Sequence, residues 1–126
     1  MYTTDKEEEW IVEKLTVDEQ LDMQRRLQHQ YRKIWTPMEP ARGRDQLLWG
    51  IIEAGEAADI IKKMGDQAIL DDPKVRHDFI EEMADIVMYL NDVFLCYGIT
   101  AEEYAEIYRA KFERNMKRWV DHIPED

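Results

Sequence analysis

Two pairs of carboxylates stand out because apolar residues flank them. Glu53 and Glu56 follow Ile51-Ile52, and Glu82 and Asp85 enclose Met83-Ala84 and precede Ile86-Val87. Within each pair the residues are three apart. On an α-helix such residues share a face, with Cβ atoms about 5–6 Å apart, so each pair aims two carboxylates in one direction. If the two helices form an antiparallel hairpin, residues at one level have numbers that add to a constant. Glu53 with Asp85, and Glu56 with Glu82, give the same total, and the turn it implies falls between Gly65 and Asp72. Helix axes pack roughly 8–10 Å apart, so all four carboxylates could reach one ion.

Four like charges at one level repel, and burying them alone is costly. A divalent cation removes that cost by reversing the local charge. The donors are all oxygen, and none of His29, His77 or His122 falls in the pattern. That favours Mg²⁺, with Mn²⁺ as a substitute, over zinc. It also disfavours a di-iron carboxylate site, which wants Glu-x-x-His on its helices. The competing reading is an ordinary solvated acidic face. The shared level and the apolar flanks weigh against it.

A complementary charge lies further on. Tyr108, Lys111, Asn115 and Arg118 have the spacing of one helical face. In a second hairpin turning near Gly98, Lys111 would lie level with Asp85 and Asn115 with Glu82. A lysine and an asparagine beside a metal suit phosphate oxygens. An exposed basic face is the alternative.

Four main helices must position these groups. The first is expected from Thr16, where Thr16-Val17-Asp18-Glu19 has capping-box spacing, to just before Pro37, with an apolar stripe of Val17, Leu21, Leu27, Tyr31 and Ile34. Thr36 to Gly43 reads as a loop. The second helix is expected from Arg44 to Met64, burying Leu48, Ile51, Ile52, Gly55 and Ala58, with Gly65 at C′. The third starts with Asp72 as N-cap and Pro73 in the first turn, runs along Val75, Phe79, Met83, Ile86, Leu90 and Phe94, and ends at Gly98. The fourth starts at a capping box from Thr100 to Glu103, with Tyr104, Ile107, Phe112 and Trp119 apolar. Thr4 and Glu7 also have capping-box spacing, with Trp10 and Ile11 placed to pack on the body. The fold class expected is all-α, a four-helix-bundle-like core in a single domain over residues 1–126.

Composition bounds the function. The 126 residues suit one domain, and 44% hydrophobic residues exclude a disordered chain. A net charge of −11 argues against binding a nucleic acid polymer, though not a small anion held through a metal. No apolar run nears the ~20 residues of a membrane span, and the acidic first ten residues lack the apolar core of a signal peptide. Cys96 is the only cysteine, so no internal disulfide is expected; the setting expected is cytoplasmic and Cys96 a core residue.

On these residues the chain resembles the all-α nucleoside triphosphate pyrophosphohydrolases, the MazG-like enzymes and dimeric dUTPases. Their signature of Glu-x-x-Glu, a spacer and Glu-x-x-Asp is matched by Glu53, Glu56, Glu82 and Asp85. Tyr108, Lys111, Asn115 and Arg118 resemble the Tyr-x-x-Lys-x-x-x-Asn-x-x-Arg of the dUTPase-like branch. Met23-Gln24-Arg25-Arg26-Leu27 resembles its Met-Gln-x-x-Leu, whose glutamine faces the base. Where that branch often has Lys-x-Trp, this chain has Lys62-Lys63-Met64. The resemblance implies Mg²⁺-dependent hydrolysis of a nucleoside triphosphate to monophosphate and pyrophosphate, for nucleotide-pool housecleaning. It implies metal ligands at Glu53, Glu56, Glu82 and Asp85, with Glu53 also orienting the water. Gln24, Lys111, Asn115 and Arg118 would bind substrate, in a homodimer or a dimer of dimers. A dUTP-specific diphosphatase is the alternative within the class, and a non-catalytic helical interaction module the alternative outside it.

Overall fold

The computed structural model describes residues 14–125, and every regular element among them is helical. The expected Thr4–Glu7 cap and the packing of Trp10 and Ile11 lie outside those residues. The elements are α1 (Val17–Gln30), α2 (Pro40–Met64), α3 (Asp66–Asp71), α4 (Pro73–Cys96), α5 (Ala101–Arg118) and a final 3-10 turn, Val120–His122. No single helix among the described residues is long and apolar enough to cross a membrane.

Local chemistry sets the helix ends. Thr16 Oγ1 accepts from the Glu19 N–H at 3.1 Å while Glu19 reaches back to the Thr16 N–H, completing the capping box. Asp72 Oδ1 accepts from the N–H groups of Lys74 and Val75, and Pro73 takes the first position of α4, where a missing N–H costs nothing. At the other end of α4, Gly98 adopts φ +66°. The N–H of Ile99 then bonds the carbonyl of Phe94, and that of Gly98 the carbonyl of Leu95, a Schellman closure. Gly65 at φ +85° separates α2 from α3. Thr100 Oγ1 accepts from the Glu103 N–H to start α5.

Three boundaries differ from expectation. The first helix ends at Gln30 and continues only as hydrogen-bonded turns, in which Tyr31 and Trp35 stack at 4.6 Å. The second starts four residues early because Pro40 is itself a good first helical residue. The linker after it folds into the short α3.

The larger correction concerns which face of α2 is buried. Leu48, Ile51, Ile52, Gly55 and Ala58 are exposed; the buried residues are Gly43, Gln46, Gly50 and Ala57. Gly43, Gly50 and Ala57 recur every seven residues, and they let α2 approach α4 closely. A Cβ on Gly50 would lie 3.4 Å from the Cβ of Tyr89, and one on Gly43 would overlap the Tyr97 ring. The Gly50–Tyr89 pairing makes α2 and α4 the antiparallel hairpin expected, in nearly the expected register. On α4, Glu82 and Tyr89 face α2, and with the buried Val75 and Cys96 they recur every seven residues, the repeat that keeps one seam facing a partner helix. Cys96 is buried as expected, 3.8 Å from the Met38 sulfur.

The fourth helix does not fold back. The axes of α4 and α5 bend by 112° at their link, and the α5 backbone comes near α1 and the final turn rather than along α2 or α4. Phe94 and Tyr104, with ring centroids 4.9 Å apart, join the two helices at the bend. Ile107, Phe112 and Trp119 are exposed.

Leu21 is the large side chain most completely buried, at 1% exposure. Leu21→Ala is expected to lower unfolding free energy by roughly 2–5 kcal/mol, the cost of a cavity at a Leu→Ala site. A urea denaturation series checks this.

Candidate metal centre and adjoining cavity

Carboxylate oxygens of Glu53, Glu82 and Asp85 lie within 4.8 Å of one another. α2 supplies the first and α4 the other two. The seam places them. Glu53 lies one helical turn beyond Gly50, and Glu82 faces α2 between Val75 and Tyr89. Glu53 and Glu82 are half-buried, and Glu82 Oε2 is sealed from solvent with no hydrogen-bond partner. A buried polar atom without a partner costs about 1–3 kcal/mol, more if charged, and such atoms are rare in folded proteins. Glu56 stands beside Glu53 but outside the three-way convergence.

The crowding changes Glu53. Its pKa rises from the ordinary 4.5 to about 7. Hydrogen bonding to Glu56 is the largest cause, then hydrogen bonding to Glu82, burial, and the negative charges of the same two groups. A proton on Glu53 therefore relieves the repulsion near neutral pH. The oxygen-only donors and the unpartnered Glu82 oxygen fit a hard divalent cation, which would relieve the same repulsion by taking the proton's place.

A cavity of about 490 Å³ adjoins the cluster and shares Asp85 with it. α1 contributes Gln24, Leu27 and Gln28, the following segment Trp35 and Met38, α2 Arg42 and Gln46, and α4 Tyr89 and Asp92. Its size falls in the range of small-molecule sites, and its lining is divided about evenly between polar and apolar surface. Tyr89 links the two regions. Burial, then the charges of Glu53, Asp92, Asp85 and Glu56, push its phenol up.

Gln24 lies in this cavity, 5% exposed, and its Nε2 donates to Asp92 Oδ1 at 2.8 Å. Gln28 Nε2 donates to the same oxygen at 3.3 Å. Asp92 is 5% exposed, and burial raises its pKa although both glutamine bonds act to lower it. The sequence reading passed over Asp92, Gln28, Gln46 and Arg42. The available signal was a polar residue at a seven-residue seam position, as at Gln46, and an Asn91-Asp92 pair inside an otherwise apolar run.

Lys111, Asn115 and Arg118 are exposed on α5, and none lines the cavity. The second hairpin that was to place them beside the carboxylates is absent: after the closure at Gly98, α5 leaves at 112° to α4. A second cluster, His77, Asp78 and Glu81, consists of surface groups one helical turn apart or less, with Lys74 paired to Asp78 at 3.0 Å. Such pairs are usual on an exposed helix.

No family model, curated protein or solved structure matches the chain.

The raised Glu53 pKa has a consequence for metal-free stability. The folded state holds a proton that the unfolded chain gives up, so this group's contribution is fully present below pH 4.5 and is lost as pH rises toward about 7. In chelator, the melting temperature of wild type should fall across that window by more than that of Glu53→Gln, which cannot titrate there. Thermal melts of both proteins at matched pH values check this; equal slopes would place the Glu53 carboxyl outside the coupled cluster.

Proposed function

We propose that the chain is a divalent-metal-dependent hydrolase of phosphoanhydrides, and more particularly a nucleoside triphosphate pyrophosphohydrolase of the MazG-like and dimeric dUTPase-like kind. The observation that carries the reading is the convergence of Glu53, Glu82 and Asp85, with a sealed, unpartnered Glu82 oxygen, at the edge of a cavity of nucleoside size.

In this reading Glu82, Asp85 and Glu53 hold the ion, with Glu56 in reserve beside them. Mg²⁺, or Mn²⁺ in its place, would supply the positive charge that screens the triphosphate and acidifies a water. Glu53 would orient that water and accept its proton. The water oxygen bonds to the α-phosphorus, the bond to the bridging oxygen breaks, and pyrophosphate leaves. Gln24 and the cavity seat the nucleoside.

The phosphate-facing role of Lys111, Asn115 and Arg118 depends in this reading on a second copy. Apolar side chains crowd the outer surface: Ile80, Met83, Val87 and Leu90 along α4, and Ile51 and Ile52 on α2. Soluble monomers rarely expose contiguous apolar stripes of this kind. A second copy of the chain covers them in a homodimer or dimer of dimers, which brings α5 of one copy within reach of the acidic cluster of another. Opposite charges favour that pairing, since the cluster is wholly acidic and the α5 face carries Lys111 and Arg118. Light scattering at micromolar protein should give at least twice the 15.2 kDa chain mass; a monomer mass would overturn the assembly.

Pyrophosphate release with Mg²⁺ across the common nucleoside triphosphates tests the activity. Glu82→Gln and Glu53→Gln should each lose at least ~100-fold in turnover while staying folded, as expected when a metal-centred step is disabled. Mg²⁺ should also raise the wild-type melting temperature. The exposed apolar stripes equally suit a non-catalytic interaction module, which predicts neither pyrophosphate release nor a metal-induced shift.

A further inference from the structure

The cavity has more chemistry than a generic nucleoside seat requires. Asp92 is a carboxylate in its wall, more than nine-tenths buried, and no cation pairs with it among the described residues. Both glutamine bonds land on Oδ1. A carboxylate oxygen has two lone pairs, so Gln24 and Gln28 saturate Oδ1 and fix the rotation of the group. They favour the ionised form, against the burial that raises the pKa of the carboxyl. Oδ2 has no hydrogen-bond partner among the described residues, yet it is not one of their sealed, unpartnered atoms, which are Arg42 Nε and Glu82 Oε2. It therefore opens into the cavity that Asp92 lines. What meets the ionised carboxylate there must donate a hydrogen bond.

The other walls narrow the choice. Trp35 and Tyr89 offer aromatic surface, and Leu27, Ile34, Met38 and Met88 offer apolar surface, so the occupant has a flat apolar body. Arg42 also lines the wall, held through Nη1 to Asp45, and its Nε is sealed from the cavity. The occupant thus presents a donor to Asp92. A carbonyl oxygen facing Asp92 Oδ2 would set two acceptors against each other in a buried site, which is strongly disfavoured.

We propose that this cavity selects nucleobases carrying an exocyclic amino group, with Asp92 as the specificity-determining residue and Gln24 and Gln28 as the residues that position it. Cytosine and adenine share that chemistry; uracil and hypoxanthine are their counterparts with a carbonyl in the amino group's place. The selection rests on the hydrolase reading only in taking the occupant to be a nucleotide. It runs against the dUTP-specific alternative.

Calorimetric binding of the four monophosphates, with Mg²⁺ present, tests it. The pairs dCMP against dUMP and dAMP against dIMP each exchange an amino group beside an acceptor ring nitrogen for a carbonyl beside a ring N–H, so the two arms also separate a pyrimidine from a purine seat. In at least one arm the amino member should bind ten-fold or more tightly than its carbonyl partner. Asp92→Asn keeps the shape but can turn an amide N–H₂ toward the cavity while its oxygen keeps the glutamine bonds. It should reduce that ratio at least ten-fold, through weaker amino binding and tighter carbonyl binding, with the far-UV circular dichroism of wild type. Equal binding within both pairs, preference for the carbonyl members, or no binding of any of the four at millimolar concentration would overturn the assignment. Selective binding without pyrophosphate release would instead overturn the hydrolase reading and leave the selectivity standing.

Discussion

The close approach of α2 to α4 is the constraint on which the rest depends. Gly43, Gly50 and Ala57 remove side-chain bulk from one helix every second turn; Tyr89 takes the space at Gly50 and Tyr97, just past the end of the other helix, the space at Gly43. Larger residues at those three positions would push the axes apart. The carboxylates from the two helices would separate with them, and Tyr89 would no longer bridge the cluster and the cavity. The seam is also unusual in content. Its wider positions on α2 carry Gln46 and Glu53 rather than leucines, so the surface that joins the helices is at once the surface that holds the polar groups.

Such a seam offers little apolar burial. The buried apolar residues among those described are Leu21, Ala57, Val75 and Cys96. The hydrophobic effect scales with apolar area removed from water, and most of the large apolar residues of α2, α4 and α5 remain outside. The proposed assembly accounts for this division of labour. The inner seam positions acids and amides, and the outer faces supply the apolar area that a chain of this length normally buries by itself.

The candidate site was legible in the sequence where helical spacing and hairpin register sufficed. Glu53, Glu82 and Asp85 converge because both rules hold at once, and the Asp72-Pro73 start fixes where the return helix begins. The buried face of α2 was not legible from hydropathy. Leu48, Ile51 and Ile52 form the stronger apolar pattern, but the partner helix selects for small size at close approach, and the repeat of Gly43, Gly50 and Ala57 carried that information. The placement of α5 was hidden for another reason. A short link at Gly98 is compatible with a hairpin or a corner, and the local closure fixes how α4 ends but not which surface α5 finds. Asp92 escaped notice because a charged residue within a helix reads as solvated until the glutamines of another helix are known to lie above it.

The attachment of α1 has a consequence for how the molecule breathes. Leu21 anchors it, and its remaining side-chain ties to α4 are polar: Gln24 and Gln28 to Asp92, and Gln20 to Asn91 at 3.2 Å. With so few side-chain hydrogen bonds holding it, α1 is expected to open at lower free energy than the α2–α4 hairpin. The same helix forms one wall of the cavity. Any occupant that bridges α1 and α4 adds its own contacts to that thin set, and it does so only in the closed form. Amide hydrogens of α1 would then exchange slowly in the occupied protein and quickly in the empty one, so that gripping a ligand and completing the fold become the same event.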